Sequence, residues 1–310
     1  MAEETGVSMP DPPIPAAGPP VIGPKIARAS VAQRLKALRE EAHLTTAAVA
    51  GAMDWSISKL TRIEKGEVTI QPLEVRALLA HYRIDDETLA VDLSRLARTS
   101  RSRQWYSKYR LPGAFADLVA FENEAAAIRI WQMLFIPGLL QTPEYARAIT
   151  ARTLRTDPND EQVKARVTLR MDRQHALLDR MAEPHALRMQ VVLDEAVLRR
   201  PVGGREVQAR QLDHLLTLAE RTDQFGFGVT PLDLEHHSGL GGSFTILQFP
   251  GRTHDDVLFA EGAAGFDVML TDRETTERHN ALFQDLLDYG RTGDRAVRFI
   301  RSVRDEFRDA

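Results

Sequence analysis

The stretch from Lys25 to Arg110 contains only short apolar repeats with the period of an α-helix, and this feature constrains the fold most. In the first repeat, Ser30 can cap a helix, and the apolar residues after it are spaced by four, three and four positions. These residues are Val31, Leu35, Leu38 and Ala42. We therefore expect a compact bundle of short helices with tight connections.

Residues 45–66 predict two of these helices, joined by a tight turn. Thr45 or Thr46 can cap the first helix, because a hydroxyl oxygen there can accept from a free backbone N–H. Asp54 lies in the turn, and Ser56 begins the second helix.

Two more helices follow this pair. Pro72 opens the fourth helix of the bundle, as proline favours the first turn. A fifth helix begins at the acidic run 85–87 and ends near Arg95 and Arg98, an order that suits the helix dipole. The fourth helix is expected to bury Leu73, Leu79 and Tyr82.

The predicted helix over 56–66 has a polar and basic edge. Leu60 and Ile63 lie three positions apart and can bury one side of it. The residues at i, i+4 and i+7 on another side carry no carboxylate: they are Ser58, Arg62 and Lys65.

Charge is divided unevenly along the chain. Residues 25–110 hold 16 Lys or Arg and 10 Asp or Glu, a net charge of +6, whereas the whole chain carries −4. Residues 1–24 carry −3 and residues 111–310 carry −7. A basic module beside an acidic body is typical of a nucleic-acid binder with a separate second domain.

The composition excludes several classes of protein. The chain has 310 residues and no cysteine, so disulfides and thiolate zinc sites are impossible. No apolar run is long enough for a membrane span, and the N-terminus lacks a signal-peptide pattern. We expect a soluble, cytoplasmic protein with no membrane association.

Residues 111–310 predict an α+β domain with one sheet of about five strands and helices packed on it. Residues 114–130 are expected to be helical, and Thr142 can cap a further helix. The β-rich runs are 187–193, 225–232, 242–249, 255–262 and 266–270.

A helix-turn-helix at 45–66 can place its second helix in a DNA major groove. There Arg62 can bond a guanine with two hydrogen bonds, which contributes about 1–3 kcal/mol of discrimination. Lys59 and Lys65 suit phosphates, and Ser58 suits either target. Ile57 can touch a thymine methyl group or join the core.

The sequence "LTTAAVAGAMDWSISKLTRIEKGE" resembles the lambda-repressor-like, XRE-type helix-turn-helix. Thr46 and Asp54 depart from that pattern, which usually has Gln and Gly there. The matching positions are Thr45, Val49, Ala50, Ser56, Leu60, Thr61, Glu64 and Gly66.

The XRE resemblance implies roles for individual residues. Glu64 would be structural. The base-facing positions would be Ile57, Ser58 and Arg62, and those nearest the phosphate backbone would be Thr45, Thr46, Ser56 and Lys59.

The resemblance extends over residues 105–305, where "WYSKYRLPGAFADLVAFENEAAAIRI", "RMDRQ", "LDEAVLRRPVGG" and "SFTILQF" are similar to the C-terminal domain of many actinobacterial XRE regulators. That domain has no assigned chemistry. The resemblance implies a possible small protein partner encoded nearby, and some members are described as antitoxin-like.

Aromatic residues cluster between the two predicted domains. They favour a hinge packed on both domains, and the alternative interpretation is a joint that relays ligand or partner binding to the DNA-binding helices. The residues are Trp105, Tyr106, Tyr109 and Phe115.

Other polar groups favour structural roles over catalysis. His236 and His237 lie in a polar loop with no second ligand cluster, and Asp194 suits a helix cap. Glu122 is expected to pair with an arginine, and the basic run 166–174 to form a solvated or domain-bridging face, with a secondary DNA contact as the alternative. We expect no enzyme activity, no metal and no cofactor.

The sequence thus predicts four segments: a disordered tail at 1–24, a helix-turn-helix DNA-binding domain at 25–100, an aromatic and basic linker at 101–115, and an α+β regulatory or dimerisation domain at 116–310. The predicted function is a homodimeric, sequence-specific transcription regulator on a pseudo-palindromic operator in double-stranded DNA. Its second domain would sense a small-molecule effector or a small protein. The alternative is an antitoxin-like protein that mainly binds a small partner and regulates its own gene.

Overall fold

The computed structural model describes residues 22–182, 187–221, 224–249, 254–262 and 267–309. The chain divides into two compact units between Arg110 and Leu111. We call residues 22–110 the helical unit and the described residues from 111 onward the mixed unit. The predicted tail lies outside the described residues, apart from its last three positions.

The helical unit contains the five predicted helices. They are α1 (Pro24–Glu41), α2 (Thr46–Ala52), α3 (Ile57–Glu64), α4 (Pro72–His81) and α5 (Glu87–Thr99). The prediction that Ser30 caps α1 is wrong, because α1 begins at Pro24 and Ser30 lies inside it. Ile26 and Ala27 are buried, so the apolar stripe extends one turn further toward the N-terminus.

All five helices contribute to one core in the helical unit. Leu79 and Tyr82 are buried as predicted, but Leu73 is 79% exposed. The buried stripe of α4 passes through Val75 and Leu78. Leu73 precedes Val75 by two positions, which places it on the opposite side of the helix.

The mixed unit confirms the predicted α+β class. Its helices are α6 (Gly113–Glu122), α7 (Pro143–Leu154), α8 (Glu161–Met181), α9 (Glu195–Arg199), α10 (Arg205–Ala219), α11 (Arg273–Tyr289) and α12 (Asp294–Arg308). Its strands are β1 (Ala127–Gln132), β2 (Arg188–Asp194), β3 (Phe225–Thr230), β4 (Phe244–Gln248), β5 (Val257–Ala260), β6 (Val268–Leu270) and β7 (Arg291–Thr292).

Seven strands in the described residues form one sheet, in the order β6-β5-β4-β1-β2-β3-β7. Strands β1, β2 and β3 are parallel neighbours, and β4 pairs antiparallel with the other edge of β1. On one face of the sheet, Trp131 of β1 and Ile246 of β4 pack with Phe283 and Leu286 of α11.

All five predicted strands are present, but the prediction of one helix over 114–130 is wrong. The helix ends at Glu122, and the rest of the segment includes β1. Because β1 lies inside the sheet, five of its six residues are buried and burial does not alternate along it; in sequence, only Ile128-Arg129-Ile130 alternates. Strand β7 has only two residues, which are too few to show the period of a strand in the sequence.

The predicted solvated face at 166–174 is also corrected by the structure. Arg173 is 8% exposed and donates from Nη2 to Glu122 Oε1 at 2.7 Å, so the predicted arginine partner of Glu122 comes from this run. Arg170 is half-buried. Both arginines belong to the interior of the mixed unit.

Candidate nucleic-acid interface

Two hydroxyl side chains fix the starts of α2 and α3. Thr45 Oγ1 accepts a hydrogen bond from the backbone N of Ala48 at 3.1 Å, so Thr45, rather than Thr46, caps α2. Ser56 Oγ accepts from the backbone N of Lys59 at 3.1 Å. Each cap satisfies an N–H that has no partner within the helix.

The turn between α2 and α3 has the left-handed residue that ends many helices. Asp54 has φ 54°, and its N–H donates to Gly51 O at 3.2 Å. The next N–H, from Trp55, donates to Ala50 O at 2.8 Å, which completes a Schellman motif. Aspartate adopts this conformation more readily than most residues, so it can replace the usual glycine.

Helix α3 is anchored on one side and exposed on another. Leu60 and Ile63 are 0% and 2% exposed and belong to the core. The predicted edge formed by Ser58, Arg62 and Lys65 is exposed to solvent. Ile57 is 55% exposed, so it does not join the core.

A buried ion pair fastens the end of α3 to α1. Arg39 Nε donates to Glu64 Oε1 at 2.6 Å, and Arg39 Nη2 donates to Oε2 at 2.9 Å. Arg39 Nη1 also donates to Leu44 O at 2.9 Å, in the segment that leads into α2. Arg39 of α1 therefore joins the end of α3 to the segment before α2, and its pair with Glu64 agrees with the predicted structural role of Glu64.

Lys59 is engaged within the helical unit. Its Nζ donates to Glu74 Oε1 at 2.8 Å and lies 3.8 Å from the centroid of the Trp55 ring. Burial alone would raise the pKa of Glu74, but hydrogen bonds from Lys59 and from the backbone N–H of Gln71 lower it. A phosphate contact by Lys59 thus requires this lysine to leave a carboxylate.

The other proposed DNA-contacting residues vary in exposure. Thr45 is exposed and Thr46 is half-buried. Arg62 Nε lies 3.6 Å from Glu67 Oε2, and both side chains are about half exposed. The sequence interpretation missed this carboxylate because Glu67 follows the helix.

Sequence reasoning also missed Glu74, although a signal was present. Gln71 and Glu74 form a capping box at the start of α4, and the pattern of a cap residue followed three positions later by Glu is readable from sequence. Its second role, as partner of Lys59, depends on tertiary structure.

The aromatic residues of the predicted hinge divide between the two units. Within the helical unit, the Trp105 ring lies 5.6 Å from that of Tyr106 and 6.3 Å from that of Tyr109, between ring centroids. In the mixed unit, the Arg173 guanidinium lies 5.0 Å from the centroid of the Phe115 ring. The hinge stays a prediction.

The polar groups singled out in the mixed unit have structural contacts. Asp194 Oδ1 accepts from the backbone N of Ala196 at 2.8 Å, which confirms the predicted helix cap. His237 Nε2 lies 3.8 Å from Asp194 Oδ2, and His236 is exposed. Among the described residues, no group of three His, Asp or Glu side chains could hold a metal ion.

A helix crosses a bilayer only if it is about 20 residues long and mostly apolar. Within the described parts of the chain, no helix combines the length and the apolar character that a membrane crossing requires.

Comparison with known proteins agrees with the division into two units. Residues 30–91, from within α1 to within α5, match the model of a helix-turn-helix domain, which indicates a DNA-binding protein with a role in transcription regulation. Residues 115–302 match the model of a domain of unknown function, DUF5753. This match covers more than half of the chain, and the chain belongs to the DUF5753 family. No curated protein and no solved structure matches this chain.

Proposed function

We propose that this chain is a sequence-specific transcription regulator of the XRE type whose α3 enters the major groove of DNA. The observation that carries the proposal is the exposed edge of Ser58, Arg62 and Lys65 on a helix whose opposite side is buried. A helix held by its core and by the Arg39–Glu64 pair keeps this edge in one orientation. Such an edge can reach base edges in a groove.

Within this interface, Arg62 reads a guanine and Lys65 contacts a phosphate. Ser58 and Ile57 face neighbouring base pairs, where the isoleucine can contact a thymine methyl group. Thr45, Thr46 and Ser56 lie at helix N-termini, where backbone N–H groups favour phosphate oxygens.

The functional form is a homodimer on a pseudo-palindromic operator. Helix-turn-helix modules of this type read two half-sites about one helical turn apart, so two copies must be held at that spacing. The mixed unit provides the surface that holds them. A regulator of this kind acts in the cytoplasm, where bacterial DNA is.

The mixed unit also senses a small-molecule effector or a small protein partner, and the chain acts as a regulator rather than as an enzyme. The antitoxin-like alternative rests on the sequence resemblance alone, and co-purification of a small protein encoded nearby would support it.

A DNA-selection experiment tests the proposal. Random duplexes retained by the full-length protein are sequenced to define an operator, and binding of wild type and Arg62→Ala is then titrated. We expect Arg62→Ala to weaken operator binding by about 1–3 kcal/mol and to relax specificity at one position. The matched control is Arg95→Ala, which removes an exposed arginine from α5.

The control variant should retain the operator preference of wild type. If wild type binds the selected operator and random DNA equally, sequence-specific regulation is excluded. If Arg62→Ala keeps full specificity, the base-reading role of Arg62 is excluded.

A further inference from the structure

The end of β1 brings together charged and amide side chains that the proposed DNA interface does not use. Gln132 is the last residue of β1, and its Nε2 donates to Glu261 Oε1, just beyond β5, at 2.9 Å. Trp131 packs toward α11, so the neighbouring Gln132 points to the opposite face of the sheet. Gln132 is 1% exposed, and its Oε1 accepts no hydrogen bond from a described residue.

Two arginines of α8, one turn apart, have different partners. Arg173 is neutralised by Glu122. Arg170 donates only from Nη1, and the acceptors are neutral: Gln141 Oε1 at 2.9 Å, Thr150 Oγ1 at 3.2 Å and Ala146 O at 3.5 Å. Among the described residues, no carboxylate lies within ion-pairing distance of Arg170. The Nε and Nη2 atoms of Arg170 donate no hydrogen bond to a described residue.

Both guanidinium groups face the same glycine. A Cβ added at Gly138 would lie 3.4 Å from Arg170 Nε and 3.8 Å from Arg173 Nη1. The segment 138–141 is bonded to α8, because Gln174 Nε2 donates to Gly138 O at 2.9 Å and to Gln141 O at 2.8 Å. Side chains held in this way keep a fixed geometry for recognition.

Two charged groups of this cluster have shifted pKa values. Burial and the positive charges of Arg173 and Arg166 lower the pKa of Arg170 to about 10. Neighbouring protein atoms raise the pKa of Glu261 by desolvation, although Glu261 is exposed at the end of β5. Perturbed groups of this kind are candidates for a binding site.

Gln132 and Glu261 lie at the same edge of the sheet. Strands β1 and β5 both pair antiparallel with β4, so they run in the same direction and their carboxyl ends lie at one edge. The hydrogen bond between the two side chains joins these strand ends.

We propose that Gln132, Arg170, Arg173 and Glu261, which we call the β1 recess, bind a small carboxylic acid that carries a hydroxyl or amino group. Arg170 Nε and Nη2 form a two-pronged donor that fits a carboxylate. Glu261 and the free Oε1 of Gln132 accept hydrogen bonds from the hydroxyl or amino group. This inference gives a site and a ligand class to the sensing role proposed above, and its use in regulation rests on that role.

Calorimetric titration of the full-length protein tests the proposal without DNA. The probes are glycolate and glycine, which carry both groups, acetate, which carries only the carboxylate, and inorganic phosphate. We expect glycolate and glycine to bind about tenfold or more tightly than acetate and phosphate, because only they satisfy both sides of the recess. Absence of binding, equal binding of all four probes, or preference for phosphate would overturn the proposal.

Three variants locate the site. Arg170→Gln should weaken glycolate and glycine binding at least tenfold, whereas Lys164→Gln, an exposed change on the same helix, should change it less than twofold. Glu261→Gln, at an accessible position, should weaken glycine about tenfold and glycolate much less, because an amide oxygen still accepts from a hydroxyl but no longer attracts an ammonium group. Equal effects of Lys164→Gln and Arg170→Gln would overturn the assignment.

Unfolding curves of each variant, compared with wild type, separate lost binding from lost structure. If Arg170→Gln unfolds, the contrast between glycine and glycolate in Glu261→Gln decides alone. Operator binding of the wild-type protein is measured separately. If the wild type binds glycolate and glycine but no operator, the proposed function is contradicted. If it binds the operator but neither glycolate nor glycine, the β1 recess is contradicted.

Discussion

Arg39 and Glu64 form a two-pronged ion pair inside the helical unit, with Nε–Oε1 and Nη2–Oε2 distances of 2.6 Å and 2.9 Å. The side chains are 10% and 7% exposed, so each charge depends on the other for the interactions it lost with water. The hydrogen bond to Glu64 raises the pKa of Arg39. The pair fixes the end of α3 against α1, and thus the angle of the proposed recognition helix.

Glu64→Gln should destabilise the helical unit strongly. The change leaves the buried Arg39 only the exposed carboxylate of Glu40, 3.5 Å from its Nη2, so the unfolding free energy should fall by up to about 3–5 kcal/mol, the loss typical of a broken buried pair. Amide hydrogen exchange in the full-length protein checks this, because the amides of α1 and α3 report on the helical unit alone.

Glu67→Gln provides the matched control for this change. Glu67 is about half exposed and lies 3.6 Å from Arg62, so the free energy should change by less than about 0.5 kcal/mol. Similar loss of protection in both variants would show that the buried pair does not stabilise the unit.

The turn between α2 and α3 predicts opposite effects of alanine at two nearby positions. Asp54 has φ 54°, a conformation that costs alanine about 1 kcal/mol, so Asp54→Ala should lower the Tm of the helical unit. Gly51 lies within α2, and a Cβ there would meet no atom within 4 Å. Gly51→Ala should therefore raise the Tm by contributing about 0.5–1 kcal/mol.

Thermal unfolding of the two single variants and the double variant checks these signs. A rise in Tm for Asp54→Ala would mean that the left-handed residue does not constrain the turn. A fall for Gly51→Ala would contradict the open space beside that residue.

The two lysines of the interface should differ in how they affect the salt dependence of DNA binding. Lys65 is exposed, so Lys65→Gln should reduce the slope of log K against log salt by about 0.9, the contribution of one phosphate contact. Lys59 is held by Glu74, so Lys59→Gln should change the slope less.

Lys59→Gln should instead affect Trp55, because its ring loses the ammonium group 3.8 Å from its centroid. A change in tryptophan fluorescence in the free protein checks this. Equal changes in slope for the two lysine variants would show that Lys59 leaves Glu74 to contact a phosphate.

Features that depend on neighbouring residues could be predicted from the sequence. The caps at Thr45, Ser56 and Thr142 are each a hydroxyl oxygen three positions before the N–H from which it accepts a hydrogen bond. The exposed edge of α3 follows from helical spacing alone. Local signals also mislead: Ser30 has the residue type and spacing of a cap, yet buried residues before it continue the helix.

Features that depend on pairing between distant residues could not be predicted. Strand β1 is extended because its neighbours in the sheet come from residues 188–193 and 244–248. Arg173 is buried because Glu122, 51 positions earlier, reaches it. Lys59 was given a phosphate role because its partner, Glu74, lies on the next helix. In each case the deciding partner lies far along the chain or on another element, and the local sequence does not name it.

The buried hydroxyl of Tyr82 should lower the free energy of unfolding at alkaline pH. Tyr82 is 5% exposed, and its Oη has no hydrogen-bond partner among the described residues. Burial, with the negative charge of Glu64, raises the pKa of Tyr82 from 10.0 to about 12. The unfolded chain therefore ionises first, and the stability present below pH 10 is lost as the pH rises toward 12.

Tyr82→Phe should remove this loss, because phenylalanine has no proton to release. Between pH 10 and 12, the unfolding free energy of the variant should fall by roughly 2 kcal/mol less than that of wild type. Near neutral pH the variant should be as stable as wild type or more stable, since a buried hydroxyl without a partner costs about 1–3 kcal/mol. Urea unfolding followed by circular dichroism across this pH range checks both expectations.

The control is Tyr289→Phe, at a 69% exposed position, which should keep the pH dependence of wild type. An unchanged alkaline slope in Tyr82→Phe would contradict the assignment.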